Sequence, residues 1–188
     1  MSLVRQKGFT LVEMAIVLVI IGLLLGGVLK GQELINGAKI KNIHNDSQSI
    51  VSAVLTYQQR YKALPGDDNA SAIALLSTNT GNANGVIEAD EQTGFYEMLR
   101  RANLLTGDPA DTTAPAHAFG GNIVVTPDAY TNAQGNNICF ANMPGDAANI
   151  IDNQYDDGIP SSGAIQGHDS ETSYAIDGST TYDLCYRL

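Results

Sequence analysis

Residues 8–29 read GFTLVEMAIVLVIIGLLLGGVL. From Met14 to Leu29, sixteen positions in a row carry an apolar side chain or are glycine. As a helix, the 21 residues 9–29 span about 31 Å at ~1.5 Å per residue, close to the ~30 Å of bilayer hydrocarbon. A short segment with two basic residues, Arg5 and Lys7, precedes them. A cleaved secretory signal has a shorter apolar part, roughly 7–15 residues, and then a small-x-small cleavage site. Here the chain runs on as KGQELINGAK, so the apolar helix is expected to be retained. One charge interrupts it. Glu13 lies near the helix start, where the dipole favours an acid and the interface is within reach. By position alone it is either a tolerated helix-start acid or a group awaiting a cationic partner.

Beyond Lys30 the pattern changes. Ile43, Ser47, Ile50, Val54, Tyr57 and Tyr61 step by three and four, and Val51 and Leu55 widen the stripe. This predicts an amphipathic helix with one apolar face, ended by Leu64-Pro65-Gly66. An unbroken helix over residues 9–62 would be about 80 Å long. Four glycines, Gly22, Gly26, Gly27 and Gly31, form two small-xxx-small pairs, which allow close helix approach in lipid.

Charge is uneven along the chain. Residues 1–29 sum to +1, residues 30–62 to +3 and residues 63–188 to −14, for a net charge of −10. A head this acidic excludes nucleic acid as its partner, because phosphate binding needs a basic face. Within it the sequence predicts short helices over 70–76 and 93–104, the latter with Phe95, Met98, Leu99 and Ala102 at helical spacing. A further helix is expected over 145–157, and a turn at Asp156-Asp157-Gly158. Candidate strands are 122–126, 137–142 and 181–187. Cys139 and Cys185 lie in the similar triplets ICF and LCY. In an exported chain they read as one disulfide, in a cytosolic chain as two core thiols.

No G-x-S-x-G, Walker loop, G-x-G-x-x-G or H-E-x-x-H occurs, and His44, His117 and His168 fall in different segments. No catalytic residue is assigned. Calcium is the one cofactor with a pattern behind it. Residues 80–91 match a calcium loop at Asn82, Asn84, Gly85, Ile87 and Glu91, with Glu88 also available, but open with Thr80 where an aspartate is usual. The alternative there is an Asn-Gly turn before a helix. Asp152, Asp156 and Asp157 are a second cation candidate. Asn69-Ala70-Ser71 is a glycosylation sequon, or simply a loop and helix cap.

The run Gly8-Phe9-Thr10-Leu11-Val12-Glu13, with a short basic leader before it and an apolar helix after it, resembles the type IV pilin and type II secretion pseudopilin signature. The resemblance rests on residues 5–29. It implies an α+β, pilin-like fold: a long N-terminal helix, half transmembrane and half amphipathic, packed on a small antiparallel sheet. The parts would be a leader (1–8), an assembly helix (9–29), an amphipathic helix (30–64) and a head (65–188). The head would divide into an αβ-loop (65–119) and a C-terminal β region, with a Cys139–Cys185 disulfide bounding the loop between them.

The same resemblance implies cleavage between Gly8 and Phe9 by a prepilin peptidase and methylation of the Phe9 amine. It pairs Glu13 with the amine of a neighbouring copy. The small-xxx-small spacing, rather than the resemblance, makes Gly22 and Gly26 assembly positions, the alternative being that glycine is simply common in membrane helices. The expected partners are copies of the chain, the bilayer before assembly, and inner-membrane assembly machinery. The precursor would sit in a bacterial inner membrane with its N-terminus cytoplasmic and its head periplasmic, and would then join a cell-surface filament. The alternatives are a minor pilin or pseudopilin, or a membrane-tethered, calcium-dependent binding or adhesion module. Major pilins usually carry a proline late in the helix; here the first proline is Pro65. Pseudopilins usually lack the disulfide.

Overall fold

The structure, a computed structural model, describes residues 8–77 and 81–188. Residues 1–7 of the expected leader (1–8), with Arg5 and Lys7, and Thr80 of the expected calcium loop lie outside them. The chain divides into two compact units, Met1–Ala38 and Lys39–Leu188. Helix α1, Leu11–Tyr61, contributes to both.

In the first unit α1 is exposed apart from half-buried Gly31, its residues 14–29 carry only apolar side chains or are glycine, and the helix is long and apolar enough to cross a membrane. In the second unit one face of α1 is buried: Ile40, Ile43, Ser47, Ile50, Ala53, Val54 and Tyr57. That is the expected stripe with two corrections. Ile40 and Ala53 join it, and Leu55, expected to widen it, is 52% exposed. At 100° per residue Leu55 falls more than a quarter-turn from the centre of the stripe, beyond the reach of the head.

The helix stops at Lys62, whose φ of 61° is left-handed. Gly66 follows, with a φ of 89°. A Cβ there would lie 3.0 Å from the Glu91 carbonyl oxygen and 3.2 Å from the Phe95 nitrogen, so both the turn and the close approach to the next helix require glycine. Asp68 then secures the turn. Its Oδ2 accepts the Tyr57 hydroxyl at 2.8 Å, and its Oδ1 accepts the backbone N–H groups of Ala70 and Ser71. The Ser71 hydroxyl in turn accepts the N–H of Ala74. These local side-chain bonds compete with helix. The helix expected over 70–76 is accordingly only a 3₁₀ turn, Ala74–Leu76.

Helix α2 is Gln92–Arg101 and buries Phe95, Met98 and Leu99 as expected. It ends at Arg101, three residues early, and Asn103 follows with a left-handed φ of 55°, a conformation common just past a helix end. Strands β1 (Ile123–Pro127) and β2 (Asn136–Pro144), helix α3 (Gly145–Tyr155), and strands β3 (Ile165–Gln166) and β4 (Thr181–Arg187) complete the fold. The sheet is antiparallel, in the order β1-β2-β4-β3. Its α+β, pilin-like architecture is the one expected.

Strand β2 is interior and buried on both faces. Ile138 pairs with Tyr186 and Phe140 with Leu184 on one face, and Cys139 faces Cys185 on the other, because side chains alternate along a strand. The two cysteines form a disulfide. Ile43, Ile50, Val54, Tyr57, Phe95, Leu99, Ile138, Phe140 and Leu184 belong to one core, each full burial stabilising by roughly 1.5–3 kcal/mol.

Burial would raise the Asp68 carboxyl, but the hydrogen bonds from Ser71, Ala70 and Tyr57 outweigh it and hold the group below the usual aspartate range. A lowered folded pKa contributes stability above about pH 4 that is lost as pH falls through that lowered value. Asp68→Ala is expected to cost ~2–3 kcal/mol at pH 7, measured by urea unfolding. The gap between the two proteins should narrow at pH values well below 4. An equal gap at both pH values would show that the ionised carboxylate adds nothing.

Candidate functional site

The first helical turn carries the chemistry of the apolar segment. Glu13 Oε2 accepts the backbone N–H of Thr10 at 2.7 Å and the Thr10 hydroxyl at 2.7 Å. The Thr10 hydroxyl oxygen in turn accepts the N–H of Glu13 at 3.2 Å. This is a reciprocal capping box, which satisfies donors that the helix start leaves open. Glu13 Oε1 accepts no hydrogen bond among the described residues. The carboxylate is thus fixed by its own chain on one oxygen and open on the other. Thr10 was not singled out from the sequence, although the Thr-x-x-Glu spacing before an apolar run is the signature of such a box. Phe9 and Gly8 precede it, both exposed. Gly22 and Gly26 lie one turn apart on α1, with nothing within 4 Å of where a Cβ would stand.

The loop expected to bind calcium is organised by a residue outside it. Asp67, buried, accepts the N–H of Asn84 on Oδ1 at 3.0 Å and the N–H of Gly85 on Oδ2 at 2.7 Å. Glu91, also buried, accepts the N–H groups of Asn82 and Glu88. The amide nitrogens of Asn82 and Asn84 both donate to Glu88. Their amide oxygens accept from Asn84 and Val86. The four candidate residues are therefore brought together, with their oxygens turned mainly onto the loop's own N–H groups. Asp67 could not be read from spacing, because it lies 17 residues before Asn84.

Asp152, Asp156 and Asp157 also meet, each offering an oxygen within 4.8 Å of the others. Asp152 accepts the Tyr174 hydroxyl at 2.7 Å and the N–H of Gly158 at 3.1 Å. Asp156 accepts the N–H of Ile165, and Asp157 the N–H of Ile159 and the hydroxyl of Ser162. Burial raises the Asp152 carboxyl, and the charges of Asp156 and Asp157 add to the rise against the hydrogen bonds from Tyr174 and Gly158.

The histidines serve separate local roles. His44 stacks on Tyr155 at 3.6 Å, His117 bonds the Ala141 carbonyl at 2.8 Å, and His168 accepts two N–H groups of its own turn. Arg100 donates to the carbonyls of Asp111 and Thr113, and Arg101 pairs with buried Glu97 at 2.7 Å.

A family model described as the prokaryotic N-terminal methylation motif matches residues 3–29. No curated protein and no solved structure matches the chain. The match covers the capping box, the apolar helix as far as Leu29, and residues 3–8 of the expected leader. It marks a type IV pilin-like prepilin signature, that of a pilin- or pseudopilin-like precursor. Proteins of this motif are structural rather than catalytic.

Thr10→Val is expected to open the box and cost the helix start about 1 kcal/mol, whereas Thr10→Ser preserves it. Amide hydrogen exchange in lipid bicelles should show the N–H groups of the first turn exchanging several-fold faster in the valine variant alone. Equal exchange in both variants would mean that the box does not stabilise the helix start.

Proposed function

We propose that this chain is a structural subunit of a type IV pilus-like filament. A prepilin peptidase cuts it between Gly8 and Phe9, the new amine is methylated, and the subunit polymerises through its N-terminal helix. The observation that carries the reading is Glu13, a carboxylate with one open oxygen, set in an otherwise apolar segment inside the matched methylation motif. In lipid the carboxylate lies near the interface and is partly solvated. Among packed helices water is scarce, and an unpaired charge there is costly. Cleavage creates a cationic amine at the depth of Glu13, so the amine of an adjacent copy is its natural partner.

The subunit waits in the inner membrane, N-terminus cytoplasmic and head outside, until assembly machinery moves it into a surface fibre. A minor-subunit role is favoured by one observation, the absence of proline before Pro65, while the Cys139–Cys185 disulfide favours a pilin over a pseudopilin. Abundance separates the two roles, since a major subunit dominates the mass of purified fibres and a minor one is a trace.

Intact mass of the fibre or membrane form is expected to show a chain beginning at Phe9 and heavier by one methyl group. A chain still beginning at Met1 in a host with active prepilin peptidase would overturn the reading.

Glu13→Ala is expected to insert and be processed normally, since a charge has left the apolar segment, yet fibre formation should fall sharply when the variant is expressed alone. Cell fractionation checks this. Abundant normal fibres of processed variant would return Glu13 to the role of a helix-start acid.

A further inference from the structure

We infer that the outward face of α1 between Lys39 and Lys62 is a docking surface for the acidic head of a second copy of this chain. The inference rests on the filament reading and names what joins neighbouring heads within it.

The unit Lys39–Leu188 holds seven basic and eighteen acidic side chains. Four of the seven, Lys39, Lys41, Arg60 and Lys62, lie at the helix and its end. Arg100 and Arg101 are engaged inside the fold. Lys39 lies over the Phe119 ring at 5.3 Å. Lys41, Arg60 and Lys62 are exposed, and among the described residues no carboxylate pairs with any of them.

Lys62 shares a groove with buried Asp67, but the outward face of the helix itself carries one sign of charge. Opposite the buried stripe, α1 presents Lys41, Gln48, Ser52, Leu55 and Gln59, all exposed, and no acid. The sole acid between Lys39 and Lys62 is Asp46, which sits beside His117 rather than on this face. Leu55, 52% exposed, gives the face an apolar centre. The acids lie elsewhere on the same unit. Asp90, Asp108, Asp146, Asp169 and Asp177 are exposed, and none has an ion pair among the described residues.

Identical heads this acidic repel one another when packed side by side. The repulsion is relieved where a cationic face of one copy meets an acidic face of the next, and such complementarity also fixes orientation. A single exposed ion pair contributes little, but a filament repeats the same contact at every subunit.

The test uses the full processed chain in fibres assembled from a mixture of ¹⁴N- and ¹⁵N-labelled subunits. A zero-length carbodiimide reagent joins amines to carboxylates already in contact. Peptide mapping is expected to find Lys41 or Lys62 linked to an Asp or Glu of residues 63–188, with mixed-isotope pairs showing that the link crosses between copies. Expressed alone, the double variant Lys41→Glu, Arg60→Glu is expected to yield at least tenfold fewer fibres, while processing after Gly8 and Tm stay unchanged. Lys41→Arg with Arg60→Lys should assemble normally. Links confined to one chain, or charge-reversed fibres at the wild-type level, would overturn the inference and leave the filament reading standing. If the charge-reversed chain misfolds, the wild-type cross-links decide alone. A processed wild-type chain that forms no fibre would overturn the filament reading, and this inference with it.

Discussion

Fifteen large apolar side chains between Phe9 and Leu29 are exposed in the single chain. Leaving one such side chain in water forgoes roughly 1.5–3 kcal/mol, so the segment as a whole forgoes tens of kcal/mol. A domain of ordinary size has only about 5–15 kcal/mol of net stability. No rearrangement of the second unit could compensate for that exposure. The segment therefore needs an apolar environment, that of a bilayer or of the apolar helices of other chains. Glu13 and Thr10 occupy the one place in the segment where a polar group finds partners within its own chain.

The head solves the opposite problem. It buries Asp67, Asp68, Glu91, Glu97 and Asp152, yet residues 63–188 hold only three basic side chains. Cations cannot satisfy most of these carboxylates. Backbone N–H groups and tyrosine hydroxyls do so instead: Asn84 and Gly85 for Asp67, Tyr57 for Asp68, Asn82 and Glu88 for Glu91, Tyr174 for Asp152. Hydrogen bonds to the charged form can offset the desolvation of a buried acid. The consequence is that residues 66–73, 81–91 and 156–164 are shaped by side chains rather than by regular secondary structure. Glu97, paired with Arg101, is the exception.

What could be read from sequence divides along the same line. Periodicity located the buried stripe of α1 and helix α2, because burial on one face imposes a repeat, whereas three of the four strands were legible to within a few residues from the turn residues that bound them. Strand β3 has two residues, too few for any alternation to register. The order β1-β2-β4-β3 was not legible, since pairing depends on contacts across long separations. The cysteines could be paired from the resemblance, though not from spacing. At the candidate site, Glu13 stood out as a charge among apolar neighbours, and Thr10 was readable from a short-range motif that went unused. Asp67 was invisible, because its partners lie in a loop whose sequence reads as a metal-binding pattern.

Strand β4 has a further consequence. It is last of the four in chain order yet lies inside the sheet, between β2 and β3, and Cys185 fixes its register against Cys139. Until residues 181–187 arrive, β3 has no neighbour and one edge of β2 stays open. Closure of the sheet is therefore a late, long-range event of the slow kind. In the proposed topology, with the N-terminus cytoplasmic and the head outside, residues 181–187 cross the membrane last, which couples completion of the fold to completion of transport. A head caught partway through has no interior strand to close on and no second thiol to oxidise. In that proposed topology the disulfide would act as a record that translocation has finished, written only once the last strand has reached an oxidising compartment.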